Sequence, residues 1–204
     1  MQQDAWIFWT LLAFLCGSVP FSLLIGLWVL KVDVRRYGDG NPGAANVIRT
    51  GGWRVGIPAV LLDSLKGAAP VGSAYVVMGI QDWRIVPIAI APVAGHAFSP
   101  WLHFRGGKAV AVTFGVWTGL TLGEAPVLLG IFLLLMYFTV AVNGWAVILA
   151  MLGLLGGLVF THHEFVLLGV WLGNVAILIL KHRHDLALPP GINPVVLRLL
   201  GKQS

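Results

Sequence analysis

Seven apolar stretches run along the chain, at roughly 6–30, 55–79, 85–102, 109–123, 126–142, 145–161 and 165–180, parted by clusters of charged and turn-forming residues. A helix that crosses the hydrocarbon core of a bilayer needs about 20 predominantly apolar residues. The pattern therefore predicts an all-α, polytopic integral membrane protein with about seven transmembrane helices. The third and fourth stretches are short, and five full spans with two half-spans fit the same pattern. The first stretch is too long for a removable signal peptide and shows no convincing cleavage site. Pro189, Pro190 and Pro194 stop any helix continuing from the last stretch. No internal repeat or low-complexity tract interrupts the chain, and a single domain over 1–204 is expected.

Charge adds a direction. Lys31, Arg35, Arg36, Arg49 and Arg54 separate the first two stretches, Arg105 and Lys108 the third and fourth, and Lys181, Arg183, Arg198 and Lys202 follow the seventh; these are eleven of the 13 Lys and Arg residues. Asp4, Asp82, Arg84, Glu124 and Glu164 mark the opposite ends. Basic residues collect on the cytoplasmic side, so the N-terminus is expected outside and the C-terminus in the cytoplasm, which an odd number of spans satisfies. Trp53, Trp83, Trp101 and Trp145 fall near span ends, where amphipathic rings anchor at the interface.

Composition agrees. Of the 204 residues, 58% are hydrophobic and 10% charged, and the mean hydropathy is +0.88. A soluble domain carries about 25% charged residues, so an ordinary soluble enzyme, a disordered tail and a disulfide scaffold are excluded. Cys16, the single cysteine, forms no internal bridge. The net charge of +5 belongs to the cytoplasmic clusters. No basic stripe interleaved with aromatics accompanies it, so nucleic acid is not an expected partner.

Four polar groups fall on the expected cytoplasmic side or within reach of it. The first runs from Gly38 through Asp39, Asn41 and Asn46 to Arg49. Its glycines let backbone N–H groups approach an anion, a following helix start adds unpaired donors, and Arg49 can grip phosphate through its planar fork. The plainer reading is a flexible loop of turn residues. In the second, Asp63 and Lys66 lie three residues apart on one helical face inside an apolar stretch, where each charge costs roughly 2.5–3.5 kcal/mol. They form either a self-neutralising structural pair or an anion site in which Asp63 orients Lys66. The third joins His96 to Gly106-Gly107-Lys108 at a helix start. It lacks the spacing of a phosphate-binding P-loop but offers N–H donors beside an ammonium, with His96 as a proton carrier. The fourth, Lys181 to Asp185 with His182, also reads as a stop-transfer cluster on anionic lipid. Convergence of all four on one side points to an anionic substrate. His162 and His163 lie on the external side without zinc-ligand spacing, and no metal or other cofactor is expected.

These residues resemble the bacterial acyl-phosphate-dependent glycerol-3-phosphate acyltransferases, a membrane-integral, PlsY-like family. The family's Gly-Ser-Gly-Asn-x-Gly-Ala-x-Asn-x-x-Arg loop is matched from Gly38 to Arg49, with Asp39 in the serine's place. Its Asp-x-Leu-Lys-Gly-x-x-Pro segment is matched from Asp63 to Pro70, and Gly-His-x-Phe…Phe-Lys-Gly-Gly-Lys from Gly95 to Lys108. Its Arg/Lys-His-x-x-Asn segment is matched at Lys181, His182 and Asp185, an aspartate standing for the asparagine. The resemblance implies transfer of a fatty acyl group from acyl phosphate to the 1-hydroxyl of glycerol 3-phosphate. Its setting would be the bacterial inner membrane, with the site facing the cytoplasm and membrane lipid as a partner. It implies phosphate contacts for Arg49, Lys66, Lys108 and His182, and orienting roles for Asn41 and Asn46. Gly106 and Gly107 would give backbone donors, and Asp63 and Asp185 would belong to the binding site. His96, Asp39 and Lys108 are the catalytic candidates. Proton transfer by His96 and by the donor's own phosphate both fit. A small anion transporter or channel, and a diverged relative that binds phospholipid precursors without turnover, are the alternatives.

Overall fold

The computed structural model describes residues 5–161 and 164–199; Asp4, His162, His163 and Lys202 lie outside them. The described residues are helices and turns, with one isolated antiparallel bridge between Val140 and Ile192. They form two compact units that divide between Leu122 and Gly123.

The first unit holds α1 (Ala5–Ser18), α2 (Phe21–Trp28), α3 (Ala44–Gly51), α4 (Trp53–Gly72), α5 (Ile85–Ala97) and α6 (Val110–Thr121). α4 packs along α6, and α1 along α5. Both pairs approach closely through small residues. A side chain at Gly115 would run into the Ser64 carbonyl, and one at Gly17 into the backbone of Pro92. Lipid tails are as apolar as leucine, so such close backbone packing is what draws helices together. Phe8, Leu11, Leu15, Leu61 and Leu65 remain on the outside as lipid-facing surface.

The first stretch is not one helix. It breaks at Val19–Pro20 into α1 and α2, because Pro20 has no N–H and its ring clashes with the preceding turn. Carbonyls at the break find side-chain donors: Ser99 Oγ reaches Ser18 O at 2.6 Å, and Lys66 Nζ reaches Val19 O at 2.7 Å beside the Phe21 N–H at 3.1 Å. Irregular backbone within an apolar span is tolerated only where the protein supplies such partners.

The 31–54 connection, expected as a loop, contains a 3₁₀ turn (Val34–Arg36) and α3. Val34, Ala44 and Val47 are buried with Leu23, Ala59 and Leu102. This small apolar cluster anchors the connection against α2 and α4. Gly52, at φ 72°, ends α3, and α4 starts at the next residue. Pro70 denies the Lys66 carbonyl its helical donor, and α4 then loosens into a π-turn at Ser73–Val77.

The second unit holds α7 (Glu124–Thr139), α8 (Asn143–Thr161), α9 (Phe165–Lys181), α10 (Arg183–Leu186) and α11 (Pro194–Leu199). α8 packs between α7 and α9, and Trp171 Nε1 donates to Met151 O at 2.7 Å inside the unit. The helix stops before Pro189 and Pro190, then resumes at Pro194, where the missing N–H is tolerated at a helix start. Asn193 ties this tail to α7 through Nδ2 to Tyr137 O at 3.0 Å.

Every apolar stretch of the sequence overlaps a helix. Ala5–Trp28, Ile85–Leu102 and Asn143–Thr161 are long and apolar enough to cross a membrane, and α6, α7 and α9 are shorter apolar helices.

Candidate active site

The first unit gathers ten of the residues singled out above. Asp39 lies between Gly38 and Gly40, both at positive φ (60° and 74°). Asn46, in the first turn of α3, is 1% exposed. Its Nδ2 donates to Asp39 Oδ1 at 3.1 Å and to Asn41 O at 2.9 Å, and its Oδ1 accepts from Arg49 Nη1 at 3.3 Å. The Asn41 N–H also reaches Asp39 Oδ1, at 3.2 Å. A Cβ at Gly38 would overlap the Arg49 guanidinium and the Asn46 amide, so only glycine lets the loop turn there. Lys108 closes the arrangement from the other loop, its Nζ 3.0 Å from Asp39 Oδ2. Burial pushes the Asp39 carboxyl up, but bonds from Lys108, Asn41 and Asn46 outweigh it and hold the group below the usual carboxylate range.

The Lys108 loop is itself tightly folded. Gly107 N–H donates to His96 O at 3.1 Å, and a Cβ at Gly107 would overlap His96 Nε2. The imidazole therefore faces the Gly106-Gly107 backbone. His103, Phe104 and Ala109 all hold positive φ (51°, 61° and 64°). Three non-glycine residues in that region within one short loop are a store of strain of the kind found at functional sites.

Beneath this lies a buried polar network. Asp63 Oδ2 accepts from Ser22 Oγ at 2.5 Å, and its Oδ1 pairs with Lys66 Nζ at 2.7 Å. His96 Nδ1 stands 3.9 Å from the same oxygen. Ser18, Pro20, Ser22, Pro42, Asp63, Lys66, His96, Ser99, Leu102 and Gly107 line one small pocket here. Lys66, read from the sequence as either a pair member or an anion ligand, is engaged with Asp63 and the Val19 carbonyl. Ser22, Ser18 and Ser99 were not singled out by sequence. A serine in an apolar stretch carries no signal until the fold brings a carboxylate or an open carbonyl to it.

His182 and Asp185 belong to the second unit. His182 is buried at the end of α9, with Nδ1 2.9 Å from Leu178 O; a carbonyl only accepts, so Nδ1 carries the proton. Asp185 packs at the start of α8, where a Cβ on Gly144 would overlap its own Cβ. A carboxylate there faces the positive end of a 19-residue helix.

The pattern of the glycerol-3-phosphate acyltransferase family matches residues 7–188. The chain belongs to this family. Among relatives of the family, it is 42% identical to glycerol-3-phosphate acyltransferase 1 of Thermotoga maritima over 120 residues, 57% of this chain and 58% of that protein. It is 38% identical to the glycerol-3-phosphate acyltransferase of Maridesulfovibrio salexigens over 141 residues, 69% of each. Its fold is that of the crystal structure of PlsY, an integral membrane glycerol 3-phosphate acyltransferase, in the glycerol 3-phosphate form. That match has a TM-score of 0.81 and 27% identity over 98% of this chain and 94% of the other. The lysophosphatidic acid form gives 0.80 and 26% with the same coverage. This acyltransferase-family chain is thus an all-α integral membrane protein.

Proposed function

We propose that the protein transfers a fatty acyl group from acyl phosphate to the 1-hydroxyl of glycerol 3-phosphate, releasing 1-acylglycerol 3-phosphate (lysophosphatidic acid) and inorganic phosphate. The observation that carries the reading is the fold match over 98% of the chain to an acyltransferase structure in its glycerol 3-phosphate form. The motif residues Asp39, Asn41, Asn46, Arg49 and Lys108 of this chain meet in one cradle. In this proposal, Arg49 and Lys108 neutralise phosphate, Asn41 and Asn46 orient the acceptor, and Gly106 and Gly107 allow close approach. His182 and Asp185 keep the binding roles that the third motif assigns. Lys66, engaged at rest with Asp63 and the Val19 carbonyl, braces the helix break and stands in the wall of the pocket, where it adds positive charge towards the phosphate.

The hydroxyl oxygen attacks the acyl carbon, the carbon–oxygen bond to phosphate breaks, and the leaving phosphate carries away the electron pair. The hydroxyl proton goes to His96 or to that phosphate. The donor is already activated, so the protein's contribution is positioning and charge neutralisation. The site faces the cytoplasm of a bacterial inner membrane, where the soluble acceptor and the lipidic donor meet. Purified protein given palmitoyl phosphate and glycerol 3-phosphate should release inorganic phosphate in step with lysophosphatidic acid. Comparable product from palmitoyl-CoA would overturn the donor assignment.

A further inference from the structure

The donors of the cradle already converge on an anion. Asp39 Oδ1 takes the Asn41 N–H at 3.2 Å and the Asn46 amide at 3.1 Å, and Oδ2 takes the Lys108 ammonium at 3.0 Å. A backbone N–H, a side-chain amide from the first turn of α3 and a cation from a separate loop are the donor set that phosphate oxygens demand.

We propose that Asp39 determines affinity: its carboxylate occupies the donors of the cradle when substrate is absent and competes with substrate and product phosphates for them. The proposal rests on the cradle being the phosphate site. For a phosphate to engage Lys108, the Asp39–Lys108 pair must open, and a dianion left within about 4–6 Å of the carboxylate is disfavoured. Opening is feasible. The two side chains are 46% and 25% exposed, and ion pairs at such exposure hold weakly. Glycine on both sides of Asp39 gives its backbone room to swing outward. The carboxylate is charged at neutral pH, since its hydrogen bonds outweigh its burial. The consequence is a site that holds every phosphate less tightly, so inorganic phosphate leaves readily after transfer.

The test compares the purified wild type with Asp39→Asn, which removes the charge and keeps the shape, Asp39→Ser and Lys108→Ala. All are checked for a single size-exclusion peak and an unchanged melting transition. KM for glycerol 3-phosphate and the inhibition constant of inorganic phosphate should both fall about three- to tenfold in the Asp39 variants, the effect expected of removing one nearby like charge. Values unchanged or raised in both Asp39 variants, with KM raised by Lys108→Ala, would sink this inference and leave the cradle reading standing. If Lys108→Ala also leaves KM unchanged, the phosphate site lies elsewhere and both fail. A hundredfold fall in kcat for the Asp39 variants, with KM and the inhibition constant unchanged, would make Asp39 a catalytic base and overturn the proposal.

Discussion

Lys108 combines two demands on one side chain. Its charge falls in the basic clusters from which a cytoplasmic orientation is expected, and its ammonium stands 3.0 Å from Asp39 within the cradle. In the proposed reaction Lys108 makes a charge-assisted bond to substrate worth about 1.5–3 kcal/mol, so Lys108→Ala should cut kcat/KM by roughly ten- to hundredfold without changing the melting transition. Retention of more than half the activity would leave Lys108 as a topology signal alone. The cradle was legible in the sequence because glycines, asparagines and cations within a few residues of one another declare an anion loop. The pairing of Lys108 with Asp39 was not legible, because the two are distant in the chain and only the packing of their loops brings them together.

Among the helices, α4 carries most of the unusual chemistry. It places Asp63 and Lys66 on one face, 1% and 6% exposed, where Ser22, Val19 and His96 surround them. Truncating one member of a buried pair leaves an uncompensated charge and costs about 3–5 kcal/mol, whereas replacing both with apolar groups is far milder. Lys66→Met and Asp63→Leu should each lower the melting temperature in detergent, and the double variant should recover much of that loss. A double variant no more stable than the worse single would show that the two charges do not neutralise each other. The seven apolar stretches were readable because hydropathy over about 20 residues is a strong signal. The α1–α2 break was not, since Val19 and Pro20 sit within an unbroken apolar run; a helix start after the glycine loop was expected, but the eight-residue extent of α3 between Gly43 and Gly52 was not.

The whole chain alternates basic and acidic ends in a way that predicts its placement in the bilayer. Arg36 and Ala187 are exposed in basic connections and Gln81 is exposed beside Asp82. In a Cys16→Ser background, cysteine at Gln81 should react with an impermeant reagent in intact cells, while cysteine at Arg36 or Ala187 should react only after permeabilisation. Reaction at Arg36 in intact cells would reverse the orientation. The division into two units at Leu122 and Gly123 left no mark in the sequence. Leu122 and Gly123 fall inside the fourth apolar stretch, and the positive φ of Leu122 (52°) is invisible in composition.

The Val19–Pro20 break also imposes an order of birth. A chain emerges from the ribosome N-terminus first, so the Val19 carbonyl, which locally takes the Phe21 N–H at 3.1 Å, is synthesised 47 residues ahead of the lysine that adds a second bond. The carbonyl of Ser18 waits 81 residues for its serine. Until α5 arrives, the Ser18 carbonyl lacks its Ser99 donor and must be served by water or lipid headgroups, because hydrocarbon offers no donor. The opening segment thus enters the membrane with its helix break only partly satisfied. The break is complete once α4 and α5 deliver Lys66 and Ser99, so a nascent chain ending before Lys66 lacks both of those side-chain donors.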